Sequence, residues 1–202
     1  MKKLLLIACI CSGILTNAQE DTIKFGVKIG INIASFSGDV AVTQDQFNRV
    51  GLQIGILSEI PITEKFAFQP ELLFSSQGAK YDPIDNGILI EQTIKLDYLN
   101  LPLMTKYYVI KGFSIQAGPQ IGFLLSANNS VESLGIDTET DIKDEISNID
   151  FGINLGLGYQ LPIGIFIDGR YNIGLSDTND ADDDNFPKAT NRVLQFSLGY
   201  KF

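Results

Sequence analysis

The sequence predicts an all-β fold: an eight-stranded antiparallel up-and-down transmembrane β-barrel. Three observations predict it. Eight segments alternate large apolar residues with small or polar ones at period two. They are long, mostly about 11–13 residues, where an average strand has about 5–6 and a tilted membrane-spanning strand needs about 9–11. The connections between them are alternately short and long, as at the two rims of an outer-membrane barrel.

The first segment sets Phe25, Val27, Ile29, Ile31 and Ile33 against Gly26, Lys28, Gly30, Asn32 and Ala34. The second sets Val50, Leu52, Ile54, Ile56 and Ile60 against Gly51, Gln53, Gly55 and Glu59. The third, Phe66 to about Gln77, opposes Phe66, Phe68, Leu72 and Phe74 to Gln69, Glu71, Ser75 and Gln77. In the fourth, about Ile94 to Val109, Leu99, Leu101, Leu103 and Tyr107 oppose Asn100, Pro102, Met104 and Lys106. Its early apolar residues, Ile94, Leu96 and Tyr98, fall on the other parity, so a bulge near Tyr98 is expected, because one extra residue flips the register.

The fifth segment, Phe113 to Leu125, alternates Phe113, Ile115, Ala117, Ile121 and Phe123 with Ser114, Gln116, Gly118, Gln120 and Gly122. The sixth sets Ile149, Phe151, Ile153, Leu155, Leu157 and Tyr159 against Asp150, Gly152, Asn154, Gly156 and Gly158. The seventh runs from Ile163 to Leu175 and the eighth from Arg192 to Phe202. Short turns are expected at Pro61 to Lys65, Ile110 to Gly112 and Leu161-Pro162. Long loops are expected at Ser37 to Arg49, Gly78 to Thr93, Ser126 to Asn148 and Ser176 to Asn191.

Alternation also suits a soluble barrel with an apolar interior. The second face decides. It holds mostly Gly, Asn, Gln and Ser, which suit a narrow lumen, while the apolar face is almost free of charge, as lipid requires. Lipid offers no hydrogen bonds to the backbone, so a spanning sheet must close on itself. The charges on the small-residue face balance: Lys28, Lys106, Arg170 and Lys201 against Glu59, Glu71, Asp150 and Asp168. Buried charges need partners, so these eight are expected to form a lumenal ion-pair and amide network that plugs the tube, since eight strands leave an interior that side chains just fill. Phe113, Phe151, Tyr107, Tyr108, Tyr159, Tyr200 and Phe202 lie near strand ends and are expected in interfacial girdles; the chain has no Trp.

Residues 1–19 read as a cleaved signal peptide, with Lys2 and Lys3, an apolar run from Leu4 to Leu15 and a small-residue end at Asn17-Ala18-Gln19. The apolar run is about 12 residues, short of the roughly 20 of a spanning helix. Residues 20–202 then form one barrel domain. Both Cys residues, Cys9 and Cys11, lie in the leader, so no disulfide is expected in the barrel. Without Lys2 and Lys3, the 15 basic residues fall to 13 against 24 acids, a net charge of −11. That balance argues against nucleic acid as a partner.

The chain ends in Leu194, Phe196, Leu198, Tyr200 and Phe202, which resembles the terminal strand that the barrel assembly machinery reads in outer-membrane proteins. Phe196, Tyr200 and Phe202 are the matching signal residues. The stretch from Pro70-Glu71-Leu72-Leu73-Phe74 to Lys80, the stretch from Leu96-Asp97-Tyr98-Leu99-Asn100 to Tyr108, and the start Phe25-Gly26-Val27-Lys28-Ile29-Gly30 are similar to the PorT-like outer-membrane barrel family of Bacteroidota. That resemblance covers nearly the whole barrel. It implies residence in the cell outer membrane and a part in protein secretion to the cell surface.

No enzyme is expected. With no His, Ser–His and Asp–His hydrolytic arrangements cannot form, and zinc loses its commonest ligands. Asp180, Asp182 and Asp184 start like a calcium loop, but Asn185 and Asn191 stand where Gly and Glu belong. No catalytic, cofactor or metal residue is marked out. The expected partners are outer-membrane lipids, lipopolysaccharide and the barrel assembly machinery; the sequence names no protein partner. The function expected is a non-enzymatic structural or interaction element, with a narrow channel or a soluble secreted binding barrel as alternatives.

Overall fold

A computed structural model of the protein describes residues 22–38, 46–82, 84–85, 88–133, 136–178 and 188–202. The leader and the Asp180–Asp184 motif lie outside them. Ten strands follow in order: β1 (Lys24–Gly38), β2 (Gln46–Pro61), β3 (Phe66–Tyr81), β4 (Ile84–Asp85), β5 (Ile88–Ile110), β6 (Phe113–Ser133), β7 (Ile136–Asp141), β8 (Ile149–Gln160), β9 (Ile165–Gly174) and β10 (Ala189–Lys201). Eight of them form a closed antiparallel ring, β1-β2-β3-β5-β6-β8-β9-β10. It is sealed where β1 pairs β10 from Gly26↔Lys201 to Gly38↔Ala189. The two short strands lie outside the ring, β4 on β5 and β7 on β6.

The short-turn rim holds tight connections. Gly112 and Gly164 adopt φ of 85° and 90°, which glycine takes without a steric penalty. Gly164 draws Ile163 into the turn with a hydrogen bond from its N–H to Leu161 O (3.1 Å), so β9 starts at Ile165 rather than Ile163. The long-loop rim differs more from expectation. Much of what reads as loop is sheet: β3 runs on to Tyr81, β5 begins at Ile88, and β6 continues to Ser133 before β7 folds back on it. β5 and β6 have 23 and 21 residues, about twice what a bilayer requires.

The apolar parity faces outward. Ile29, Ile54, Leu155 and Leu198 are each at least half exposed. In a water-soluble barrel these would be the core; here they make the lipid-facing band. Phe25, Phe66, Tyr107, Tyr159, Tyr200 and Phe202 ring its lower edge, with Phe66 and Tyr107 in contact at 4.9 Å between centroids. Tyr108 does not join this girdle. It turns inward, and its hydroxyl lies 2.9 Å from both oxygens of Glu59.

A register shift falls beside Tyr98, as expected, but it does not flip β5. From Leu96 to Lys106 the even residues of β5 all point inward. The irregularity sits on the partner strand, where Asp97 faces Ser126 but Tyr98 faces Leu124, leaving Leu125 extra. Leu96 and Tyr98 are buried inside the ring, in an apolar cluster with Phe36, Ala79, Tyr81, Leu124, Ala127, Ile146 and Ala189. At this rim the interior is greasy and the outward residues of β5, Lys95 and Asp97, are polar.

Candidate functional site: the lumenal network

Period-two geometry sends Lys28, Glu59, Glu71, Lys106, Asp150, Asp168, Arg170 and Lys201 inward from seven of the eight ring strands, and all are buried. Seven come together in two clusters near the short-turn rim. In the upper cluster Arg170 grips Glu71 with a two-pronged bond, 2.8 and 2.6 Å. Lys28 Nζ lies 3.1 Å from Glu71 and 3.6 Å from Asp168, and Arg170 Nε lies 3.3 Å from Asp168. In the lower cluster Glu59 accepts from Lys106 (2.9 Å) and from Lys201. Gln69 joins the two clusters: its oxygen accepts from Lys106 (3.3 Å) and its nitrogen donates to Glu71 (2.6 Å). Asp150 stands apart, and its carboxylate accepts from the Ser176 hydroxyl at 3.0 Å.

Glycines on the inner face leave room for these long side chains. A Cβ on Gly156 would lie 2.7 Å from Arg170 Cγ, and one on Gly158 would lie 2.3 Å from Gln116 Nε2. Gln116 in turn accepts from Arg170 at 3.0 Å. An ion-paired plug crosses a ring closed by backbone pairing, with an apolar band outside it.

A family model described as outer membrane protein beta-barrel domain matches residues 17–180. The chain belongs to that family. The location that goes with it is the outer membrane. Among solved structures, the chain resembles Neisserial surface protein A (NspA) at 13% identity and TM-score 0.51, covering 88% of this chain and 97% of that one. It resembles Ail, the attachment invasion locus protein of Yersinia pestis, at 12% identity and TM-score 0.52, covering 89% and 98%. At such identity the likeness is one of fold. No curated protein matches the chain.

Above the ionic plug, this outer membrane protein beta-barrel domain carries an uncharged layer. One buried amide comes from every ring strand: Asn32, Gln53, Gln77, Asn100, Gln120, Asn154, Asn172 and Gln195. Several bond to each other and to hydroxyls, as in Asn172→Asn154 (3.1 Å), Asn154→Gln120 (3.1 Å) and Asn32→Ser75 (2.9 Å), while Asn100 does not. Above them lies the apolar cluster. The lumen therefore passes from ions through amides to hydrocarbon.

The sequence reading missed the apolar members of this interior. Leu57 and Leu73 are buried between polar neighbours, and Phe166 packs under Lys201, whose Nζ lies 4.8 Å from the ring centroid. Leu73 shares the parity of Glu71 and Ser75, but it lies between Leu72 and Phe74 in an unbroken apolar run that hides the alternation locally. Phe36 and Leu124 were legible as inward by parity, but their size argued for the outside.

Proposed function

We propose that this barrel is a non-enzymatic structural or interaction element of the outer membrane, with its lumen closed, and that it takes part in protein secretion to the cell surface. The observation that supports the closed reading is the three-storey filling of the lumen, with the Glu71–Arg170–Lys28–Asp168 cluster spanning the tube and the Leu96–Tyr98 cluster capping it. The sheet that continues past the lipid band along β5, β6 and β7 supplies the surface that the role needs. The secretion role rests on the PorT-like stretches around Pro70–Lys80 and Leu96–Tyr108. The same reading has residues 1–19 removed on export, lipopolysaccharide and lipid on the outer band, and Phe196, Tyr200 and Phe202 read by the assembly machinery.

Planar-bilayer recording tests the closed lumen: the reading expects no steady conductance, and a stable single-channel step sinks it. A deletion strain tests the secretion role: surface display of secreted cargo should fall while general outer-membrane protein levels hold. Unchanged display contradicts it. A narrow conduit is the second reading, favoured by the continuous polar lining from Lys106 up to Asn172; it requires the apolar cap to open.

A further inference from the structure

Asp150 has no cationic partner among the described residues, while the other seven lumenal charges each have an opposite charge within 4.0 Å. The overall balance does not rescue it. Glu59 serves both Lys106 and Lys201, so the positive excess sits at the floor, on the far side of the Glu71 cluster. Neutral donors, the Ser176 hydroxyl and the Asn191 amide, do not neutralise it, and a buried carboxylate without a counter-charge is costly.

The surroundings of Asp150 are hollowed by two glycines and lined by two amide side chains, with the Tyr98 ring edge beside the first hollow. Its cross-strand neighbour is Gly122, and the next inward residue on β8 is Gly152. Asn100 leans into the first hollow: its Oδ1 is 2.6 Å from where a Gly122 Cβ would be, and Asp150 Cβ is 3.5 Å from the same point. Asn172 leans into the second, with Nδ2 2.9 Å and Oδ1 3.2 Å from the Gly152 Cβ position. The amide of Asn172 is oriented by its bond to Asn154, which is itself bonded to Gln120, so the oxygen is the atom left over. Both side-chain atoms of Asn100 and the Oδ1 of Asn172 are buried without a protein partner. The Ser176 hydroxyl donates to Asp150 at 3.0 Å and accepts from Phe151 N–H at 2.8 Å, which leaves its oxygen one further lone pair.

We propose that Asp150, Asn100, Asn172 and Ser176 hold a single alkali-metal cation, sodium or potassium, inside the lumen. Such ions are bound by oxygens that replace their hydration shell, and neutral amide or hydroxyl oxygens do this without adding charge. One carboxylate matches one positive charge. Calcium sites gather several carboxylates, and among the described residues no group of three acids, His or Cys comes together. The Leu96–Tyr98 cluster above the site keeps bulk water from competing from the long-loop rim.

The test uses the full chain purified in detergent. Crystals soaked in a thallous salt, a heavy stand-in for potassium, should give an anomalous peak bounded by these four side chains. In solution, melting is followed in NaCl, KCl and choline chloride at equal ionic strength. An ion at about ten times its Kd should raise the midpoint by roughly 3–6 °C over choline. Asp150→Asn should remove the difference; if that variant does not fold, Asn100→Ala should at least halve it. The difference between NaCl and KCl names the preferred ion. No anomalous peak and equal melting in all three salts overturns the site. So does a salt effect that stays at its full size in Asp150→Asn or in Asn100→Ala, because the ion is then bound elsewhere.

Discussion

The lower and upper parts of the tube use opposite polarity. Within the lipid band, β5 points Leu99, Leu101 and Leu103 outward and Asn100 and Lys106 inward; three residues higher it points Lys95 and Asp97 outward and Leu96 and Tyr98 inward. The strand has not changed register. What changes is the medium outside it. Against lipid the outer face must be apolar, and the inner face is free to carry ions and amides. Against water the ordinary rule of soluble proteins returns, and the interior gathers hydrocarbon. The neighbouring strands turn over at the same height. Phe74, paired with Leu99, is exposed and apolar, while Lys80 two turns of the pleat beyond Ser76 is charged. Arg49 marks the level by donating to the Ser76 hydroxyl (3.1 Å) and the Gln77 carbonyl.

Substitutions on either side of that level sharpen the contrast. The largest effect is expected in the ionic storey. Glu71→Ala leaves Arg170 and Lys28 without their main acceptor and should cost about 3–5 kcal/mol in reversible urea unfolding of the barrel in lipid vesicles. In the apolar storey Leu96→Ala opens a cavity and should cost about 2–5 kcal/mol by the same measurement, a penalty typical of a soluble core. On the outer face within the band, Leu155→Arg should cost about 2–4 kcal/mol if it sits near mid-bilayer. The smallest effect belongs above the bilayer. Lys95 pairs Glu139 at 3.5 Å in the open, and Lys95→Ala should cost under about 1 kcal/mol. A Leu155→Arg variant as stable as the parent, or a Lys95→Ala variant that loses as much as Glu71→Ala, breaks the comparison.

The polarity inversion also explains what the sequence could show. Inside the band, alternation is a faithful guide, because lipid fixes one face and the narrow lumen fixes the other. Strands such as β8, from Ile149 to Gln160, are legible to the residue. The ring closure follows from the same facts, and so does the inward placement of the charges at Lys28, Glu71 and Arg170. Their division into two clusters with Asp150 outside does not, because depth along the tube depends on strand tilt and register, which alternation does not encode. Above the band, the single assumption that apolar means outward fails. It turns Leu96 and Tyr98 into apparent evidence for a bulge, and makes loops of strands that are paired on both sides. Tyr108 departs from expectation for a related reason: its ring suits a girdle, but its parity and hydroxyl commit it to Glu59.

The inversion can be measured directly. The chain lacks Trp, so single Trp residues introduced along the outward parity of β5 report without background. In vesicles of brominated lipid, Leu101→Trp and Leu103→Trp should be strongly quenched, while Lys95→Trp and Asp97→Trp should not be, with the change falling at the height of Tyr98. Strong quenching at 95 and 97, or none at 101 and 103, would contradict the account.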